Sequence, residues 1–299
     1  MDAVLNQFQI YLMNRDRSPK TVHGYSNDLR QFAKWMARPL EFTTAADVRA
    51  YRDHLFEVGA SANTISRHLA SLASFGHWGE TRGGLFAENP ALYVEKVELS
   101  MLAPRWLDKS QKRKLLSVIE EDARLARERF PRLWLLRYRD AVMVRFLLNT
   151  GLRVGELCDL RISDITLGER KGSVLVRRGK GRKQRVVMLM NETRKELAEW
   201  LKIRPRVQSD CFFIGQVGEA IHPRLVQRVV QRYAEAAEIE DLTPHVLRHT
   251  FARSLLDSGA TPFEVAKLLG HSSLDSTARY TQPSEEELRS AVERLGEDM

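Results

Sequence analysis

The chain has 299 residues, of which 43% are hydrophobic and 29% charged, and its formal net charge is +8. That length accommodates two domains with separate cores, and the composition excludes a disordered or fibrous chain. No apolar run approaches the roughly 18 residues of a membrane helix. The charge is unevenly placed: the first 103 residues hold 11 Lys+Arg and 11 Asp+Glu, so the remainder carries the whole excess. A basic half of this kind suits a polyanionic partner.

The opening M-D-A-V-L-N-Q-F-Q lacks the basic and apolar regions of an export signal, which predicts a cytoplasmic protein. Two cysteines, Cys158 and Cys211, fit a reducing compartment, and Cys158 reads as a small core residue in an apolar helix. Apolar spacing predicts a first helix over Ala3 to Asn14, with Val4, Phe8, Tyr11 and Leu12 on one face. Ser18-Pro19 supplies an N-cap and a first-turn proline for a second helix, striped by Val22, Tyr25, Leu29 and Phe32. A third spans Thr44 to Val58 and stops at Gly59; a fourth opens at Ser61 or Asn63 and runs toward Trp78. Four short amphipathic helices make a small bundle over residues 1–96. On the fourth, Arg67 and His68 are candidates to face DNA, with a solvated helix face as the equal alternative.

Residues 97–105 lack periodicity and contain Pro104, which places a linker there. The second domain, 106–299, opens with a helix capped by Asp108. A charged run from Glu120 to Arg132, read as solvated helix surface, precedes an apolar helix over Trp134 to Leu148. After T-G-L-R-V-G-E-L-C-D-L, the pattern shifts to short strands at Ile162–Leu167, Ser173–Val176 and Gln184–Met190, predicting a small antiparallel sheet. The expected fold class is thus mainly α with one small antiparallel β-sheet. Between Arg170 and Arg185 lie eight basic residues and no acidic one. On a hairpin, that density suits a phosphate backbone, with Arg177, Arg178, Arg182, Lys183 and Arg185 as candidate DNA contacts.

Six residues form an ordered polar set: Arg153, Lys180, His245, Arg248, His271 and Tyr280. Arginines neutralise phosphoryl oxygens, imidazoles and an ammonium move protons, and a phenol can attack phosphorus. Each has a plainer reading alone. Arg153 is spaced i,i+3 from Glu156, a surface ion pair; Lys180, set between two glycines, is a non-specific phosphate contact with Lys183 as competitor; His271 follows Gly270 as a capping histidine; Tyr280 is a core aromatic. In T-P-H-V-L-R-H-T, His245 and Arg248 share one helix face. His249, i,i+4 from His245, raises a metal pair, but Val246 stands where a zinc protease needs Glu, so no metal is expected and His249 is read as structural.

T-G-L-R-V-G-E-L, R-G-K-G-R-K-Q-R, H-V-L-R-H-T-F-A, L-L-G-H-S-S and R-Y-T together resemble the motifs of the tyrosine recombinases of the phage-integrase and Xer-type family, over nearly the whole chain. The resemblance implies a helical core-binding domain followed by a catalytic domain. It assigns Tyr280 as nucleophile, Arg153 and Arg248 as phosphate-binding residues, Lys180 as general acid, His245 as a proton-transfer group and His271 as a phosphate hydrogen-bond donor. It further implies transesterification through a 3′-phosphotyrosyl link without metal, ATP or other cofactor, on double-stranded DNA recombination sites in a prokaryotic nucleoid. Ser284 and Glu287 form a capping-box pattern before Leu288, Val292 and Leu295. In the family such a segment packs into a neighbouring protomer to build a tetramer on DNA, and a second recombinase or accessory protein is a further expected partner. The length of Glu120 to Tyr138 and T-Q-P-S after the motif tyrosine depart from the compact Xer pattern and favour a mobile-element recombinase over Xer-type dimer resolution. A type IB topoisomerase and a non-catalytic DNA-binding protein are the alternatives; the second would show a gap in the set, and none is present.

Overall fold

A computed structural model of the chain describes residues 2–95, 97, 104–177 and 184–270. The chain divides into two units, residues 1–102 and 103–299.

In the first unit, α1 (Asp2–Asn14), α2 (Pro19–Met36), α3 (Ala45–Glu57) and α4 (Ala62–Trp78) surround one apolar core. Their starts are set by side chains that take the otherwise unpaired amide groups of a first turn. Ser18 accepts from the Thr21 amide at 3.1 Å, Thr44 and Asp47 form a reciprocal capping box, and Ser61 caps α4 at Thr64. Phe8, Leu29, Phe32, Ile65 and Phe75 are fully buried, with Phe8 edge-on to Phe75 at 5.4 Å between ring centres.

A carboxylate lies inside this bundle. Asp28 is 1% exposed and accepts hydrogen bonds from Arg67 and from the Ser71 hydroxyl, tying α2 to α4. A buried carboxylate is tolerated only when paired, so Arg67 has a structural duty here. His68, 2% exposed, lies with Nδ1 3.3 Å from the Tyr51 hydroxyl. The sequence reading placed His68 as a candidate to face DNA; burial corrects that. Arg67 keeps about half its side chain exposed beyond its Asp28 pair.

The second unit is organised around α6 (Trp134–Thr150), whose residues 139–144 are all buried, as expected of a helix that is apolar on most faces. It contacts α5 (Lys109–Arg129), α8 (Asn191–Ile203), α9 (Pro223–Ala236) and α10 (Pro244–Asp257). Buried Arg139 clamps Asp140 at 2.6 Å and the Ile214 carbonyl at 2.8 Å, and Arg232 reaches the same aspartate at 3.2 Å. The charged run read as preceding the apolar helix is largely the second half of α5, which continues to Arg129 before a short turn.

After the short α7 (Val154–Cys158) come β1 (Ile165–Leu167), β2 (Gly172–Val176) and β3 (Arg185–Met188), an antiparallel sheet in that order. The predicted first strand is shorter than expected because Ile162–Asp164 forms a 3₁₀ turn. Val176 pairs with Arg185, so residues 177–184 join β2 to β3. Cys158 belongs to the core, and burial pushes its thiol up to about 12. The last described helix, α11 (Pro262–Leu269), starts at a Thr261–Glu264 capping box and stops at Gly270 in the left-handed conformation, φ 66°. The described fold is mainly α with one small antiparallel sheet. Among the described residues no helix is long and apolar enough to cross a membrane.

Candidate active site

The site is assembled where α6, α7, β3 and α10 meet the end of α11. Helix α6 ends at Gly151, which has φ 61°; a Cβ there would lie 2.5 Å from Phe251 Cδ1 and 2.8 Å from Leu269 Cδ2. Both the backbone conformation and the packing demand glycine. Two residues on, Arg153 occupies the N-cap position of α7. Its amide donates to Glu156 Oε2 at 2.8 Å and its Nη1 to Oε1 at 3.0 Å. The i,i+3 pair read from the sequence therefore forms, but Glu156 is nearly buried rather than a surface partner.

Arg185, the first residue of β3, makes a second and tighter claim on the same carboxylate. Its Nη1 and Nη2 donate to Glu156 Oε1 and Oε2 at 2.8 and 2.7 Å, the forked geometry that guanidinium and carboxylate favour. Burial pushes the Glu156 carboxyl up, but the hydrogen bonds and charges of Arg185 and Arg153 outweigh it and hold it below its ordinary value.

The final carbonyls of a helix have no partner within the helix and carry its partial negative charge. At the end of α11 three consecutive carbonyls each meet a different arginine. Leu268 O accepts from Arg185 Nε at 2.9 Å, Leu269 O from Arg248 Nη2 at 2.7 Å, and Gly270 O from Arg153 Nη2 at 3.5 Å. Arg248, 4% exposed, also donates through Nη1 to the Gly151 carbonyl at 2.6 Å. One helix end thus orders arginines from α7, β3 and α10 on a shared wall.

On α10, Thr243 caps the helix and Pro244 opens it. His245 follows in the first turn, exposed, one turn from Arg248; the half-buried His249 has its ring centre 6.5 Å from that of His245. Among the described residues no group of three or more His, Cys, Asp or Glu converges as a metal site would require. Arg177 is paired with buried Asp164 and donates to Ser163 Oγ at 3.1 Å, with about half its side chain exposed. Arg185 is different: its side chain is only 10% exposed. The sequence reading grouped it with the DNA contacts, whereas its guanidinium is held by Glu156 and the α11 end. Local spacing could not reveal this, because Glu156 lies 29 residues away. Lys180, His271 and Tyr280 lie outside the described residues, as do Arg178, Arg182, Lys183 and the capping-box segment at 284–295.

Residues 105–287 match the model of the phage integrase family, and residues 5–83 match that of the phage integrase N-terminal SAM-like domain. The chain belongs to the phage integrase family. Its relatives include "Tyrosine recombinase XerC" of Corynebacterium efficiens, 35% identical over 277 residues that cover 92% of this chain and 84% of the relative. The protein of the same name from Mycobacterium tuberculosis is 31% identical over 304 residues, covering 98% of each chain. The enzyme is therefore a tyrosine recombinase, one that cleaves and rejoins DNA strands in site-specific recombination, which sets aside the topoisomerase and non-catalytic readings. In fold it resembles the XerH site-specific recombinase bound to palindromic difH substrate in a post-cleavage complex (TM-score 0.75, 23% identity, 93% of this chain and 80% of that one). It equally resembles the Tn1549 transposon integrase in complex with transposon right end DNA (TM-score 0.73, 21% identity, 98% and 99%).

Proposed function

We propose that this recombinase exchanges strands through Tyr280. Its phenolic oxygen attacks the scissile phosphorus, a 3′-phosphotyrosyl bond forms, and the bond to the 5′-oxygen breaks. Lys180 protonates that leaving oxygen, and attack by the 5′-hydroxyl of a partner strand reverses the step. The phosphodiester energy is conserved, so the reaction needs no nucleotide cofactor. Arg153 and Arg248 neutralise the non-bridging oxygens as the phosphorane forms, while His245 handles the nucleophile's proton and His271 donates to phosphate. The observation that carries this reading is the placing of Arg153 and Arg248 on the adjacent carbonyls of Gly270 and Leu269. Two members of the six-residue set thus meet on one helix end.

Arg177, Arg178, Arg182 and Lys183 grip the DNA backbone around the cleavage point, and the exposed half of Arg67 lends the bundle a further phosphate contact. The segment after Gln282 docks on a neighbouring protomer and closes a tetramer. Truncation after Gln282 is then expected to leave binding of a single site unchanged in a band-shift assay while abolishing recombination between two sites. Parallel loss of both activities would contradict docking in trans.

For the biological role, the near full-length likeness to XerC proteins favours Xer-type resolution of DNA multimers. The mobile-element reading rests on the length of Glu120 to Tyr138 and on T-Q-P-S. Most of that length is the second half of α5, an extension of a helix. Plasmid dimers carrying the host's chromosomal recombination site discriminate the two: their resolution to monomers is expected. Recombination confined to the ends of a neighbouring mobile element would restore the other role.

A further inference from the structure

Arg185 lies outside the six-residue set, yet it is bound to the same wall as two of its members. We infer that Arg185 is a positioning residue for strand cleavage, which occupies Glu156 so that Arg153 is left directed at the phosphate; the inference rests on the phosphate-binding role proposed for Arg153.

Three observations carry it. First, Arg185 takes both carboxylate oxygens at 2.8 and 2.7 Å, whereas Arg153 reaches only Oε1 with its side chain, at 3.0 Å. An arginine and a glutamate alone at i,i+3 are free to close into a forked pair of their own, which would draw the Arg153 guanidinium down onto Glu156. With Arg185 in place that closure is blocked. Second, two guanidiniums and one carboxylate leave a net charge of +1 beside the phosphate; without Arg185 the remaining pair is neutral. A change of one charge this near the phosphate acts directly on an anionic transition state. Third, Arg185 braces the wall itself. Its Nε holds the Leu268 carbonyl, and a Cβ added at Gly270 would meet its Cδ and Nη1 at 3.0 Å. The same side chain therefore fixes the helix end that carries the carbonyls facing Arg248 and Arg153. Its 10% exposure fits a residue acting through its neighbours rather than one touching DNA.

The test uses the full-length enzyme and single-turnover cleavage of a nicked suicide substrate at saturating protein, with site binding and melting temperature measured for each variant. R185Q is expected to cleave about 10²-fold more slowly, as for loss of one transition-state donor, with site binding unchanged. The double variant R185Q/E156Q is expected to recover most of that loss, because removing the carboxylate returns the +1 charge and releases Arg153. A merely structural role predicts the opposite, since the double variant loses still more contacts. A methylphosphonate at the scissile position, which removes one phosphoryl charge, is expected to narrow the gap between R185Q and the unaltered enzyme. R185K keeps the charge and stem but lacks the fork; it decides the matter if R185Q does not fold, with cleavage expected about tenfold slower at intact binding. Wild-type cleavage by R185Q or R185K, or a double variant no faster than R185Q, would overturn the inference. Failure of the unaltered enzyme to form an adduct would instead overturn the Tyr280 reading.

Discussion

Tyr280→Phe is expected to bind its recombination site as tightly as the unaltered enzyme and to form no covalent DNA adduct. The substitution removes one oxygen, the one proposed as nucleophile. The basic residues proposed to hold DNA are untouched, and phosphate contacts supply most of the affinity of such proteins. Band shifts over a salt series should superimpose for the two proteins. Denaturing gels of a suicide-substrate reaction should show a slow-migrating adduct with tyrosine and none with phenylalanine. An adduct from the variant would transfer the chemistry to another residue.

Arg248→Lys carries the second largest expected effect, because it separates charge from geometry. Arg248 is buried and spans the Gly151 and Leu269 carbonyls at 2.6 and 2.7 Å. A lysine keeps the positive charge, but one ammonium cannot reproduce a planar fork that spans both walls. Cleavage is expected to fall about 10²–10³-fold, the usual cost of losing a preorganised donor to a developing oxyanion. Stability should fall as well, since a buried carbonyl left without its donor costs about 1–3 kcal/mol. For a domain of this size that corresponds to about 2–4 °C in melting temperature per kcal/mol. Full activity in Arg248→Lys would show that charge alone suffices and that the α11 wall has no catalytic purpose.

The contrast between what the sequence revealed and what it concealed follows the range of the interactions. Helix starts were legible because caps act over three residues: Ser18, Thr44, Ser61 and Asp108 each accept from an amide close by in the chain. The bundle and the sheet followed from apolar periodicity, which reflects burial on one face. The charged run, read as solvated helix surface, is the second half of α5, and the apolar helix opens at Trp134 as its composition implies. His68 and Arg185 were misjudged for a different reason. Their partners, or the core around them, come from other elements: Tyr51 for His68, and Glu156 with Leu268 for Arg185. A basic residue in a basic stretch looks the same in sequence whether it faces solvent or a buried carboxylate. Arg153 shows the intermediate case. Its i,i+3 relation to Glu156 was visible, but a second arginine on the same carboxylate was not, and that second arginine changes the pair from a surface contact into a support for the site.

Identification of the covalently attached residue decides which side chain is the nucleophile. The unaltered enzyme would be trapped on a nicked suicide substrate, digested with nuclease and protease, and the nucleotide-bearing peptide sequenced by mass spectrometry. One modified peptide is expected, with the nucleotide joined through its 3′-phosphate to the Tyr280 oxygen. Attachment at any other residue, or through a 5′-phosphate, would contradict this assignment.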